Sequence, residues 1–170
     1  VEAMLHALPV SDWRLVMISA DPTKSITSTE FPLVPGDDID DAAAMLATLT
    51  MAHWEEGFNS VYEYISHNPY SSTWMRPDAG LLVVFVSDEE EQSDLEYPMA
   101  ADFLGWYGSL RMGSVFMASV VNVAATISEC THFVSPIDIG DRYMSATYTL
   151  GGVVVDICSE DWSSGVTDAT

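Results

Sequence analysis

The chain has 170 residues, with 26 Asp and Glu against 5 Lys and Arg, so its formal net charge is −21. That balance argues against nucleic-acid binding, because contacts to phosphates need clustered Lys and Arg. Disordered acidic chains are poor in apolar residues, whereas 48% of this chain is hydrophobic. One folded domain over residues 1–170, with its charge on the surface, is therefore expected.

The acidic surface suggests a setting for the protein. High net charge keeps a protein soluble at high ionic strength but destabilises it through self-repulsion at low salt, which predicts a saline environment. An extracellular, cell-surface or virion location is expected alongside it. Two alternatives stay open: an ordinary acidic protein, or carboxylates that bind divalent cations. No segment reaches the roughly 20 apolar residues of a membrane span.

The first predicted element is an amphipathic helix over Val1 to Leu8. No capping residue precedes it, so we expect further chain upstream. The apolar, β-branched residues Trp13 to Ala20 predict a buried strand. Residues 21–36 are rich in Thr, Ser and Pro and predict a long loop, with a short edge strand near residues 26–31.

Two helices and a strand are predicted next. Carboxylates at residues 37–41 favour the positive end of a helix dipole, which predicts a helix over Ala42 to Leu49. A second helix is predicted over Ala52 to His67, with apolar side chains at the spacing of a buried stripe. The stripe consists of Trp54, Phe58, Val61, Tyr62 and Ile65. The apolar run Leu81 to Val86 is typical of a central parallel strand covered on both faces.

Helices and strands alternate in the rest of the chain. They are predicted over Tyr97 to Leu110 (helix), Val115 to Val121 (strand), Arg142 to Thr149 (helix), Val153 to Ile157 (strand) and from Asp161 onward (helix). The pair Gly151 and Gly152 is typical of a helix C-terminal cap. This alternation predicts a Rossmann-like, doubly wound α/β fold with a mostly parallel sheet and helices on both faces.

An acidic loop, Ser87 to Ser93, directly follows the run Leu81 to Val86. In open α/β sheets, ligands bind outside the carboxyl ends of the strands. The functional site is therefore expected at this loop. The alternative is a solvated acidic face, which is the usual meaning of a run of charges.

Three segments together resemble bacterial proteins that carry a von Willebrand factor A-like domain. Residues 75–93 resemble that family's fourth strand with its acidic loop, residues 141–162 resemble its last helix, strand and turn, and residues 11–21 resemble its second strand. The resemblance spans nearly the whole chain in the right order. It implies a metal-ion-dependent adhesion site at the carboxyl ends of the strands, where a carboxylate of a partner protein completes the metal shell.

The resemblance also implies ligands for a divalent cation. Asp88 matches the Asp at the end of the fourth strand, Ser87 lies beside it, and Thr50 is assigned to the loop Thr. The same loop also offers Thr48, whereas the register suggested by Glu56 and Gly57 places His53 or Trp54 at that position. The family's Asp-x-Ser-x-Ser would lie upstream of Val1, and direct ligation by Glu89 or Glu90 is the less favoured option. Oxygen ligands suit Mg²⁺, Mn²⁺ or Ca²⁺.

The two cysteines, Cys130 and Cys158, fall where members of the family often carry Cys, and both lie at the edges of predicted elements. The resemblance and the extracellular setting favour a disulfide between them, worth roughly 3 kcal/mol on the chain-entropy model. Two buried free thiols are the alternative.

Catalysis is not expected. The four His residues form no zinc-binding spacing, and the chain has no Gly-x-Ser-x-Gly elbow and no Gly-rich phosphate loop. Adjacent carboxylates in one loop do not easily flank a glycosidic bond from two sides. The sequence therefore predicts a non-enzymatic adhesion or protein-binding domain with a protein or glycan ligand. A metal-free structural subunit of a virion or surface assembly, in contact with other copies or subunits, is the alternative.

Overall fold

The computed structural model describes residues 4, 6–7, 12–29, 32–49, 54–93, 97, 99–124 and 139–169. The helices are α1 (Pro22–Ser25), α2 (Ile39–Thr48), α3 (Gly57–His67), α4 (Ser71–Trp74), α5 (Ala100–Leu110), α6 (Asp141–Thr149) and α7 (Ser164–Thr167). The strands are β1 (Leu81–Ser87), β2 (Val115–Val121) and β3 (Val153–Asp156). No helix in these ranges is both long and apolar enough to span a membrane.

The three strands form one parallel sheet in the order β1-β2-β3. Leu81 lies opposite Val115, and Val121 lies opposite Asp156, so the carboxyl ends of all three strands meet at one edge. Parallel neighbours need crossover connections, and α5 and α6 lie in those between β1, β2 and β3. The predicted α/β class is confirmed as a small parallel sheet with helices.

Apolar side chains cover both faces of the sheet. On one face, α3, α5 and α6 pack against the strands around Phe58, Phe103 and Tyr143, which are fully or almost fully buried. On the other face, Met4 and Val166 pack on Val120 and Val155. The Tyr107 hydroxyl lies within hydrogen-bonding distance of the carbonyl oxygens of Leu81 (3.0 Å) and Phe116 (2.8 Å) and can donate to either, which ties α5 to β1 and β2.

Most predicted elements have the expected type. The strands at residues 81–87, 115–121 and 153–156 and the helices over residues 100–110 and 141–149 agree with the sequence to within a few residues. Asp38 caps α2 by accepting from the N–H of Asp40 at 3.1 Å, as expected for carboxylates at a helix start. Gly151 has φ +70°, the left-handed conformation of a C-terminal cap.

Three predictions at the level of elements were wrong. Residues 13–20 form no strand, only a single antiparallel bridge between Leu15 and Leu33. Residues 26–29 form a turn and loop after the short helix α1, whose start the Asp21 side chain caps, so the edge strand predicted near residues 26–31 is absent from the described part of that range; residues 30–31 lie outside the described residues. The helix predicted from Ala52 begins only at Gly57, and Trp54 is 65% exposed, so it does not belong to the buried stripe.

Candidate functional site at the carboxyl edge of the sheet

The acidic loop leaves β1 at the carboxyl edge of the sheet, where Ser87 is buried and Asp88 is exposed. The Ser87 hydroxyl donates to the carboxylate of Glu55 and accepts from the backbone N–H of Glu89 at 3.1 Å. Glu55 comes from the segment just before α3, more than 30 residues away in sequence. We call Glu55, Ser87, Asp88 and Glu89 the carboxyl rim.

The carboxyl rim concentrates negative charge around a partly buried group. Burial raises the pKa of Glu55 above its ordinary value of 4.5, the hydrogen bond from Ser87 lowers it, and the charges of Asp88 and Glu89 raise it again. The net direction is upward. Ionised Glu55 therefore lies where water solvates it poorly and where neighbouring charges repel it.

A pH dependence of stability follows from the raised pKa of Glu55. Because the folded state holds this proton more tightly than the unfolded chain, ionisation destabilises the fold as the pH rises above about 4.5. We expect Glu55→Gln to be more stable than the wild type at pH 7 without divalent cations. Below pH 4 the difference should shrink, because both side chains are then neutral. Urea unfolding from pH 3.5 to 8 in EDTA measures this, and a difference independent of pH would contradict it.

Glu91 anchors the loop rather than facing solvent. Its side chain is 1% exposed. One carboxylate oxygen, Oε1, accepts from the backbone N–H groups of Phe58 (3.2 Å) and Ser93 (3.0 Å) and from the Ser93 hydroxyl. The pKa of Glu91 is raised by burial, and these hydrogen bonds together with the Arg142 charge lower it only in part. The Phe58 N–H belongs to the first turn of α3, so the carboxylate lies at the positive end of that helix.

Arg142 completes this anchor from α6. Its guanidinium lies 3.1 Å from the other Glu91 oxygen, Oε2, and 5.7 Å from the ring centroid of Phe58. It also donates to the carbonyl oxygens of Glu91 (2.9 Å), Ser93 (2.9 Å) and Tyr97 (2.6 Å). In addition, the Arg142 backbone N–H donates to the Glu90 carboxylate at 3.1 Å. Glu90 and Glu91 therefore hold the loop in place, and the carboxyl rim presents the remaining acidic groups.

The predicted site residues divide into two groups. Ser87 and Asp88 are adjacent at the end of β1, as expected, whereas Thr50 lies outside the described residues. Of the other residues considered for that position, Thr48 donates its hydroxyl to the carbonyl of Met45 at 2.7 Å, and His53 lies outside the described residues. Within the described ranges, no three His, Cys, Asp or Glu side chains converge closely enough to hold a metal ion.

The disulfide stays a prediction, because Cys130 lies outside the described residues. Cys158 is half-buried in the turn after β3, and its backbone N–H donates to the Asp156 side chain at 2.9 Å. This places Cys158 near the same edge of the sheet as the carboxyl rim, at the opposite end of the strand order.

Glu55 is the residue of the candidate site that sequence reasoning missed. The predicted helix from Ala52 placed it inside a regular element, away from the acidic loop. The signal was the sequence Glu55-Glu56-Gly57, in which two carboxylates precede a Gly at the true helix start. Carboxylates are favoured at that end of a helix.

Comparison with known proteins gives no match: no family model, no curated protein and no solved structure is similar to the chain. The von Willebrand factor A-like assignment therefore stays a resemblance of sequence segments.

Proposed function

We propose that the chain is a non-enzymatic binding domain that contacts a protein or glycan partner at the carboxyl rim, with a divalent cation as part of the contact. The observation that carries the proposal is the hydrogen bond from the Ser87 hydroxyl to the Glu55 carboxylate, with the charges of Asp88 and Glu89 nearby. The saline setting inferred from the net charge of −21 belongs to the same proposal, as does the extracellular location that the resemblance implies.

The donor groups of the carboxyl rim fit a hard cation. Mg²⁺ binds through one or two carboxylates and keeps several waters, so it does not need three converging acidic side chains. Glu55 and Asp88 supply carboxylates and Ser87 supplies a hydroxyl oxygen. Burial is the main cause of the raised pKa of Glu55, and a cation there would offset the repulsion from Asp88 and Glu89 that adds to it. An open position on the cation would accept a carboxylate or hydroxyl of the partner.

Cation binding is testable through stability. We expect MgCl₂, MnCl₂ or CaCl₂ to raise the melting temperature of the wild type, because a ligand at 100 times its Kd stabilises the folded state by about 2.7 kcal/mol. Asp88→Asn and Glu55→Gln should lose most of this shift. The matched control is Asp78→Asn, which removes one exposed carboxylate before β1, at the opposite edge of the sheet. Equal shifts in all four proteins would contradict the proposal.

A metal-free structural subunit is the second candidate, and exposed apolar side chains favour it. Large hydrophobic side chains at solvent-accessible positions include Trp54 (65% exposed), Met99 (65%), Met112 (97%) and Tyr148 (64%). Such side chains contribute to contacts between subunits when they form a patch. Self-association measured by analytical ultracentrifugation, unchanged by EDTA, would support this function over the cation-dependent one.

A further inference from the structure

Three of the five Lys and Arg residues of the chain lie together, next to the segment that leads into β1. Arg111 donates to the carbonyl oxygen of Arg76 at 3.0 Å. Arg14 donates to the carbonyl oxygen of Trp74 at 2.6 Å, two residues earlier in the same segment. We call Arg14, Arg76 and Arg111 the amino-edge cluster, because β1 begins at Leu81, shortly after this segment.

A cavity of about 230 Å³ lies beside this cluster at the amino ends of the strands. Arg111, Met112 and Ser114 are among the residues that line it. The Ser114 carbonyl accepts from the N–H of Leu81 at 2.9 Å, where β1 and β2 begin side by side. Met112 is 97% exposed. The amino edge of the sheet therefore combines guanidinium groups with an exposed apolar side chain.

The amino-edge cluster keeps positive charge that a ligand can use. Arg76 pairs with Asp12, and Asp78 lies exposed in the cavity lining. Among the described residues, neither Arg14 nor Arg111 forms an ion pair. Their guanidinium groups donate to backbone carbonyl oxygens, and each has five N–H donors, so further donors are left over. Three positive charges against two carboxylates make this edge locally positive.

The opposite edge of the sheet is negative and far enough away to act separately. It carries the carboxyl rim, with Asp88 exposed after β1, and Asp156 at the end of β3. Because β1 has seven residues, its two ends are roughly 20 Å apart at about 3.3 Å per residue. The Debye length is only about 8 Å at physiological ionic strength. Each edge therefore acts on a neighbouring molecule mainly through its own charges, despite the net charge of −21.

We propose that the amino-edge cluster of one molecule binds the carboxyl rim of a second copy, head to tail. Charge complementarity selects this partner, because the two edges have opposite sign and contacts between two like edges would repel. Such a contact joins two different surfaces of the chain, so it is heterologous and forms rings or open filaments. The contact uses the carboxyl rim of the proposed function, but it depends on the negative charge of the rim and needs no cation.

Exposed apolar side chains at both edges support the same contact. Trp54, next to Glu55 of the carboxyl rim, is 65% exposed, and Met112 is the corresponding side chain of the amino edge. Contacts between a thioether and an aromatic ring are favourable, and Trp and Met are enriched at protein interfaces. Both edges therefore offer apolar area beside their charges.

The first test is the oligomeric state of the full chain in EDTA, measured by sedimentation velocity. The wild type is expected to self-associate at about 0.15 M salt and to dissociate at about 1 M, where the Debye length falls to about 3 Å. A wild type that stays monomeric up to about 1 mM overturns the proposal, as does association that salt does not weaken. Binding of an oligo-Glu peptide by a monomeric wild type would assign the cluster to another acidic chain and overturn the second copy as its occupant.

Two charge reversals test the head-to-tail geometry. Arg14→Glu changes only the amino edge and Asp88→Lys only the carboxyl rim, and both side chains are exposed, so the fold should tolerate the changes. Each variant alone should associate at least about tenfold more weakly than the wild type. An equimolar mixture should associate again, because each variant keeps one unaltered edge for the other to bind. A mixture that stays monomeric overturns the proposal.

Lys24→Glu is the matched control, because it makes the same change of net charge on α1. It should leave the association unchanged, and a loss equal to that of Arg14→Glu overturns the proposal.

Magnesium separates this contact from the proposed function. Mg²⁺ at the carboxyl rim would compete with the arginines of the second copy, so MgCl₂ is expected to weaken the association. Self-association in EDTA without a Mg²⁺ shift of the melting temperature rejects only the cation. A Mg²⁺ shift in a wild type that stays monomeric rejects only the head-to-tail contact.

Discussion

Arg142→Met is expected to lower the free energy of unfolding by about 3–5 kcal/mol, because it leaves a buried carboxylate without its partner charge. Glu91 is 1% exposed, and Arg142 supplies the opposite charge at 3.1 Å. The substitution also removes the donors to the carbonyl oxygens of Glu91, Ser93 and Tyr97. Urea unfolding at pH 7, followed by circular dichroism, measures the change.

Two variants separate the buried charge from a general effect of losing an arginine. Arg76→Met removes an ion pair with Asp12 that is largely exposed on the Asp side, so it should cost less than about 1 kcal/mol. In Arg142→Met, adding Glu91→Gln should recover part of the loss, because the unpaired charge is then gone. A double variant no more stable than Arg142→Met at pH 7 would contradict this explanation.

The parallel sheet was predictable because its strands are apolar along most of their length. When helices alternate with buried apolar runs such as Val115–Val121, the runs are expected to be strands of a parallel sheet. The segment at residues 13–20 has a similar composition but forms no ladder. Apolar composition indicates that a segment is buried, not that a neighbouring strand pairs with it. Its side chains pack as a strand's would, so the sequence indicated the environment of this segment correctly and its pairing wrongly.

The candidate site was only half predictable for a related reason. Asp88 and Ser87 follow β1 directly, so their place depends on one element that the sequence identifies well. Glu55 reaches Ser87 from a distant segment, and its position depends on where α3 begins. The roles of Glu90 and Glu91 were hidden because a run of acidic residues looks uniform in sequence. In the structure, Glu90 accepts from a backbone N–H at the start of α6, and Glu91 accepts from one at the start of α3.

Gly152→Ala is expected to destabilise the fold by about 3 kcal/mol or more, through overpacking against backbone. Gly152 lies between α6 and β3, where a Cβ atom would collide with the carbonyl oxygen of Met117 in β2 and lie 3.1 Å from the Thr147 side chain. A carbonyl within a strand cannot turn aside as a flexible side chain can. Relief would require β3 to move away from β2, which would strain the ladder from Ala118 to Val121.

Gly105→Ala is the control, because Gly105 lies inside α5 with open space around it. This change should stabilise the fold by about 0.5–1 kcal/mol. Thermal unfolding of both variants measures the contrast, and a Gly152→Ala protein as stable as the wild type would show that β2 and β3 are not packed this closely.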